Sequence, residues 1–194
     1  MPSVGYMVER PAFEPRAILV ADIVGYSRWL AHQPVATHAA FTNHLRHVFE
    51  PAVRAHAGEV IKTTGDGVVA IFRRPDNAER SAREIQSRLA GPAIDISPGV
   101  DLTYRLAVHY GEVMTLPNDV LGIDVNAAMH MQALAPPGGI CVSGQLLAGL
   151  SEDHKAAYSH AGRKYIKNIP DPIDVYLLMP GPGSIGERFR TGLL

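Results

Sequence analysis

Ile61-Lys-Thr-Thr-Gly-Asp-Gly-Val-Val-Ala-Ile-Phe72 is the stretch that decides how this chain folds. The β-rich runs Glu59–Thr64 and Val68–Phe72 flank Gly65-Asp66-Gly67, a composition that predicts a hairpin closed by a tight turn with Asp66 at its tip. Upstream, Ala17-Ile-Leu-Val-Ala21 is a continuous apolar run ending in Asp22, the pattern of a central strand buried on both faces with a carboxylate at its exit. Between the two, Phe41, Leu45, Val48, Phe49, Ala52 and Val53 recur at helical spacing. They predict a long amphipathic helix over Val35–Ala57 that runs through Pro51 and stops at Gly58.

Downstream, Pro75–Leu89 places Ala78, Ala82, Ile85 and Leu89 on one face and charges on the other, a surface helix with Asp76 as its expected cap. Val100–Thr115 reads as a strand pair or one long bent strand centred on Leu106–Tyr110, followed by a turn at Pro117-Asn118. Val125–Ala135 has helical periodicity and is stopped by Pro136-Pro-Gly-Gly139 before a strand at Ile140–Ser143. A short helix over Gln145–Leu150 and strands at Tyr165–Asn168 and Ile173–Met179, around Pro170-Asp-Pro172, complete the pattern. The order βαββαβ predicts an α+β fold, a ferredoxin-like palm with αβ additions on the C-terminal side. Residues 1–16, with Pro2, Pro11 and Pro15, read as an extended arm, 17–179 as one domain, and 180–194 as a loose tail.

With 194 residues, of which 46% are apolar, the chain can bury one sizeable core. A net charge of -1, from 18 Lys+Arg against 19 Asp+Glu, provides no field for a nucleic-acid backbone or an anionic membrane, so a small-molecule or protein partner is expected. The single cysteine, Cys141, excludes an internal disulfide, fits a reducing cytoplasmic setting and is expected to pack in the core. No apolar run approaches the roughly 20 residues of a membrane helix, and no export signal precedes the domain, so a soluble cytoplasmic chain is expected.

Two aspartates matter because of where they fall. Asp22 leaves the first strand and Asp66 occupies the turn of the hairpin that pairs beside it, so the topology lets their carboxylates converge. Hard cations such as Mg²⁺ take one or two carboxylates together with substrate phosphates, and a pair of metals can clamp both oxygens of an in-line phosphoryl displacement. Taken singly, each aspartate also has an ordinary explanation in turn or capping chemistry.

Five ordered blocks carry a resemblance. Ala17-Ile-Leu-Val-Ala-Asp-Ile-Val-Gly-Tyr-Ser-Arg28 resembles the opening signature of class III adenylate and guanylate cyclases, and Ile61–Phe72 resembles that family's second metal-binding hairpin. Leu106-Ala-Val-His-Tyr-Gly-Glu-Val113, Asp119-Val-Leu-Gly-Ile-Asp-Val-Asn-Ala-Ala128 and Pro136-Pro-Gly-Gly-Ile-Cys-Val-Ser143 are similar to its later blocks, in order. The resemblance spans Ala17–Leu178 and implies the nucleotide cyclase fold. It implies two Mg²⁺ or Mn²⁺ ions per site, held by Asp22, Asp66 and the carbonyl of Ile23, and attack of a ribose 3′-hydroxyl on the α-phosphate with release of pyrophosphate. Lys62 and Asp119 match the family's base-reading pair; a cationic donor with a carboxylate acceptor complements adenine, so ATP is the expected substrate and 3′,5′-cyclic AMP the product. Lys167 matches a late lysine that contacts the β- and γ-phosphates. Asn126 matches the family's transition-state asparagine, and where the family has an arginine one helical turn later this chain has His130.

The same resemblance divides the site. Asp22 and Asp66 belong to one half, and Lys62, Asp119, Asn126, His130 and Lys167 to the facing half, so a head-to-tail homodimer carrying two sites is implied, with a heterodimer as the variant. His109, Tyr110 and Glu112 are read as structural or dimer-facing. Histidine gives fewer hydrogen bonds than arginine and only partial charge near neutrality, which motivates the alternative of a silent cyclase-homology domain that binds nucleotide or dimerises. A diguanylate cyclase is disfavoured because Thr64-Gly-Asp-Gly67 departs from the Gly-Gly-(Asp/Glu)-Glu-Phe hairpin; neither a P-loop nor a Gly-x-Gly-x-x-Gly fingerprint occurs.

Overall fold

A computed structural model describes residues 12–91 and 99–181. The elements are β1 (Phe13–Ile23), α1 (Tyr26–His32), α2 (Pro34–His44), α3 (Glu50–Ala55), β2 (Gly58–Thr63), β3 (Gly67–Phe72), α4 (Pro75–Ala90) and β4 (Tyr104–Leu116). They continue as β5 (Asp119–Leu121), α5 (Ile123–Met131), β6 (Ile140–Ser143), α6 (Gly144–Ala148), α7 (Glu152–Lys155), β7 (Ser159–Lys164) and β8 (Ile173–Leu178). All the strands join one sheet in the order β2-β3-β1-β4-β6-β8-β7, with β5 attached to β4. The first four pair antiparallel around β1, the βαββαβ palm, and β6 runs parallel to β4 as the first of the C-terminal additions.

Strand β1 is central because its residues are apolar on both faces. Ala17, Leu19, Ala21 and Ile23 pack under Phe41, Phe49, Val53, Ala82 and Ile85 from the helices on one side. Ile18 and Val20 face the other side, where Val113 of β4, Val120 of β5 and Val125 and Ala128 of α5 cover them. Cys141 sits with Ala127, Met131 and Val175 in a third apolar cluster, where burial pushes its thiol up to about 12. No helix among the described residues is long and apolar enough to cross a membrane.

Several boundaries differ from the sequence expectation. Strand β1 begins at Phe13, inside the expected arm, whose residues 1–11 lie outside the described residues, as do 182–194 of the expected tail. The helix expected over Val35–Ala57 is α2, a π-helical turn at Leu45–Phe49, and α3. Pro51 explains the break: its ring clashes with the carbonyl four residues back, and the chain widens so that the Glu50 N–H donates to the Leu45 carbonyl. Helices α1 and α7 have no counterpart in the sequence expectation. Asp76 does not cap α4; the N-cap is Arg74, without a side-chain bond, and Pro75 opens the helix.

The strand expected at Tyr165–Asn168 is a turn, and the pairing strand is the polar Ser159–Lys164 just before it. As the outermost strand, β7 pairs on one side only, bulges between His160 and Arg163 and has Gly162 at φ 87°, so it carries no apolar alternation. Ile166 is buried and anchors the turn, which closes through Ile169 N–H to the Ile166 carbonyl and Asn168 at φ 64°. One charge of α4 is not on its solvent face: Glu79 is fully buried, bonded by Arg83 and by the Tyr158 hydroxyl at 3.2 Å, with His154 Nδ1 standing 2.7 Å from its other oxygen.

Candidate active site

The end of β1 and the tip of the β2–β3 hairpin are joined through the backbone. Asp22 pairs with Gly67 on one side and Arg105 on the other. The turn is closed by Thr64 N–H to the Gly67 carbonyl at 3.0 Å, and Ile23 N–H donates to the Asp66 carbonyl at 3.1 Å. Gly67 is required, since a Cβ there would stand 2.3 Å from the Ala21 carbonyl oxygen. Asp66 is thereby fixed beside Asp22. Burial, then repulsion from Asp66, raise the Asp22 carboxyl to about 6 against the opposing pull of Arg105.

Arg105 is a further candidate at this position that the sequence reading does not single out. It enters β4 beside Asp22, and its Nε is buried without a hydrogen-bond partner among the described residues. The available signal was a lone cation at the head of the apolar run Leu106-Ala-Val108. Two carboxylates with one opposing cation leave the position short of positive charge. Among the described residues no group of three or more His, Cys, Asp or Glu converges, so any ion here would rest on two carboxylates plus backbone and substrate oxygens. That donor set is all hard oxygen and suits Mg²⁺ or Mn²⁺.

Lys62 and Asp119 meet as a pair. A bulge between Val60 and Lys62 resets the register of β2, and Asn118 at φ 60° turns the chain into β5. Lys62 Nζ donates to Asp119 Oδ1 at 2.5 Å, and Val120 N–H donates to the same oxygen at 2.8 Å. The Lys62 bond first, and the Val120 N–H second, hold the Asp119 carboxyl below the usual carboxylate range. No hydrogen bond or ion pair among the described residues ties Lys62 or Asp119 to Asp22 or Asp66.

Asn126 and His130 are both exposed on α5, one turn apart. Lys167 is exposed in the turn that follows β7, not on a strand, so its register is set by the Ile166 anchor. A single chain therefore brings together Asp22 with Asp66 and Lys62 with Asp119, and leaves Asn126, His130 and Lys167 facing solvent. Leu121, Ile123 and Met129, at 44%, 50% and 36% exposure, border α5 with apolar surface.

The whole pattern has relatives. Residues 8–180 match the family model of the adenylate and guanylate cyclase catalytic domain. The chain is 33% identical over 164 residues to putative adenylate cyclase 3 of Rhizobium meliloti, which covers 84% of this chain and 28% of that protein. It thus spans under a third of that relative's length. Among solved structures it is similar to an adenylate/guanylate cyclase/hydrolase from Silicibacter pomeroyi, at 30% identity and a TM-score of 0.78 over 88% of this chain and 99% of that one. A Trypanosoma brucei adenylate cyclase shares the fold at 17% identity and a TM-score of 0.76, over 91% of this chain and 94% of that one. On the match across nearly its whole length, this chain belongs to the adenylate and guanylate cyclase catalytic domain family.

Proposed function

We propose that this domain converts ATP to 3′,5′-cyclic AMP and pyrophosphate at two composite sites of a head-to-tail homodimer. The convergence of Asp22 and Asp66 carries the reading, because two carboxylates pressed together at a strand exit lack a counter-charge that a metal–nucleotide would bring. When bound by Asp22, Asp66 and the Ile23 carbonyl, Mg²⁺ or Mn²⁺ ions supply charge neutralisation for the triphosphate and acidify the ribose 3′-hydroxyl. The 3′ oxygen bonds to the α-phosphorus, the bond to the bridging oxygen breaks, and pyrophosphate leaves with the electron pair while the hydroxyl proton passes to solvent. Arg105 adds a permanent cation beside Asp22.

Lys62 donates to adenine N1 and Asp119 accepts from the exocyclic amine. In the free chain each satisfies the other, so adenine replaces one donor–acceptor match with another of the same polarity. The Rhizobium meliloti relative, named as a putative adenylate cyclase, supports this base choice. In Lys62→Glu two carboxylates would face each other and N1 would lose its donor, so kcat/KM for ATP should fall about 10- to 100-fold, the value of a charged hydrogen bond lost at a buried partner. Steady-state kinetics on ATP and GTP check this, and unchanged ATP kinetics would remove Lys62 from base reading.

The separation of the groups supports the dimer. Asn126, His130 and Lys167 face solvent in one chain beside exposed Leu121, Ile123 and Met129, so a twofold partner would both cover the apolar border and bring these polar groups to Asp22 and Asp66. There Asn126 and His130 would face the α-phosphate, and Lys167 the outer phosphates. His130 in the place of the family's arginine favours one second reading, a silent domain that binds nucleotide or dimerises. Purified protein with Mn²⁺ or Mg²⁺ and either ATP or GTP decides between them. Cyclic AMP as the dominant product is expected, whereas nucleotide binding without product supports the second reading.

A further inference from the structure

Asp124 stands in the first turn of α5, and the β4 positions that face it are shaped around its carboxylate. His109, only 1% exposed, meets Asp124 Oδ1 through Nε2 at 2.9 Å, and the Glu112 N–H donates to Oδ2 at 2.7 Å. Between them Gly111 leaves the necessary volume, since a Cβ there would lie 2.2 Å from Asp124 Cγ. The His109 bond outweighs the effect of burial and, with the Glu112 N–H, holds the Asp124 carboxyl below the usual carboxylate range. His109 Nδ1 has no hydrogen-bond partner among the described residues, and position 109 stands opposite Ile18 in the strand register, so the one hydrogen bond of the ring is to the carboxylate.

An ordinary helix start does not need this arrangement. The N-cap of α5 is Gly122, with no side-chain cap, and both oxygens of Asp124 are committed to β4. The remaining contacts of α5 with the sheet come from Val125, Ala127, Ala128 and Met131, apolar side chains whose attraction is non-directional. A bidentate carboxylate held by an imidazole and a backbone amide is directional and sets both the rotation and the height of the helix.

We infer that His109 and Asp124 are a positioning pair that locks α5 onto β4 and so places Asn126 and His130 for the reaction. The inference rests on the cyclase reading above. Neither residue of the pair touches substrate; Asn126 lies two positions beyond Asp124 and His130 one turn further. The binding groups Lys62 and Asp119 are carried by β2 and β5, and Asp22 and Asp66 by β1 and the hairpin, so loosening α5 should slow turnover without weakening substrate capture.

Three variants separate positioning from packing. His109→Leu fills the ring's volume without a donor, His109→Gln restores an N–H donor, and Gly111→Ala displaces the carboxylate without removing any polar group. For His109→Leu and Gly111→Ala, kcat with Mn²⁺ and ATP is expected to fall about 10- to 100-fold with KM within about twofold, and exchange of the amides of residues 125–131 to accelerate. His109→Gln should stay within about threefold of the parent kcat, with α5 exchange restored. Unchanged kcat and unchanged α5 exchange in the first two variants overturns the inference. So does a His109→Gln variant as damaged as His109→Leu with exchange raised across the whole sheet, the signature of lost packing. If the parent chain makes no cyclic nucleotide, the activity reading fails by itself and exchange alone decides: α5 loosened locally and rescued by Gln supports the pair, and α5 unchanged overturns it.

Discussion

Asp22→Asn should abolish metal-dependent formation of cyclic AMP, by at least about 10²- to 10³-fold, while making the metal-free protein more stable. Both effects come from one cause. The carboxyl is raised to about 6 by burial and by Asp66, so in the folded protein the charged form is disfavoured relative to the unfolded chain, whose ordinary value is 3.8. The folded state then binds the proton more tightly, and stability present below pH 3.8 is lost as pH rises through about 6. The rise from 3.8 to about 6 corresponds to about 3 kcal/mol at full weight, and solvent at this half-buried position reduces that to about 1–2 kcal/mol. Asparagine removes the charge, so thermal melts in EDTA between pH 4.5 and 7.5 should show a falling Tm for the parent and a flatter line for the variant. The variant should melt about 2–8 °C higher at pH 7.5. Mn²⁺ should raise the Tm of the parent and leave the variant unmoved. A variant that melts lower at neutral pH, or that responds to Mn²⁺ like the parent, would remove Asp22 from the metal site.

The same residue shows why the palm and its carboxylate pair were legible. Ala17–Ala21 is apolar on both faces because helices and α5 cover both, and a strand so buried can only be central. Gly65-Asp66-Gly67 declares its turn through glycine chemistry, and Gly67 is also the residue that allows the hairpin to close on Ala21. The misread elements are those whose signal is tertiary. Ser159–Lys164 is an edge strand with no apolar period, whereas Tyr165 and Ile166 have strand-like composition but serve as a turn with one anchor. Glu79 sits among the charges of α4 yet is buried, because His154 and Tyr158, more than seventy residues away, turn inward to meet it. Arg105 and the His109–Asp124 contact are not legible in the sequence for a similar reason: each partner is unremarkable in its own segment, and only the antiparallel register of β1 with β4, or the return of α5 over β4, brings the pair together.

His130→Arg should raise kcat for cyclic AMP formation about 10- to 100-fold, with little change in KM or Tm. His130 is exposed on α5, so a longer side chain has room and the fold does not depend on it. At the α-phosphate an arginine offers a planar fork of donors and a permanent charge, whereas the shorter imidazole offers fewer donors and no bidentate fork. Charge that develops in the transition state is worth more to bind than charge already present in the substrate, which places the gain in kcat. The ratio of the two rates is the decisive measurement. Deprotonation of the 3′-hydroxyl and metal binding affect both proteins equally and cancel in the ratio, so the ratio isolates what residue 130 contributes at the reacting phosphate. A silent parent with activity restored by arginine would assign the chain to the nucleotide-binding reading, with this one side chain as the cause. Equal rates for the parent, His130→Arg and His130→Ala would show that residue 130 does not reach the reacting phosphate, and the transition-state contact would then have to come from Asn126 and the fixed cation at Arg105.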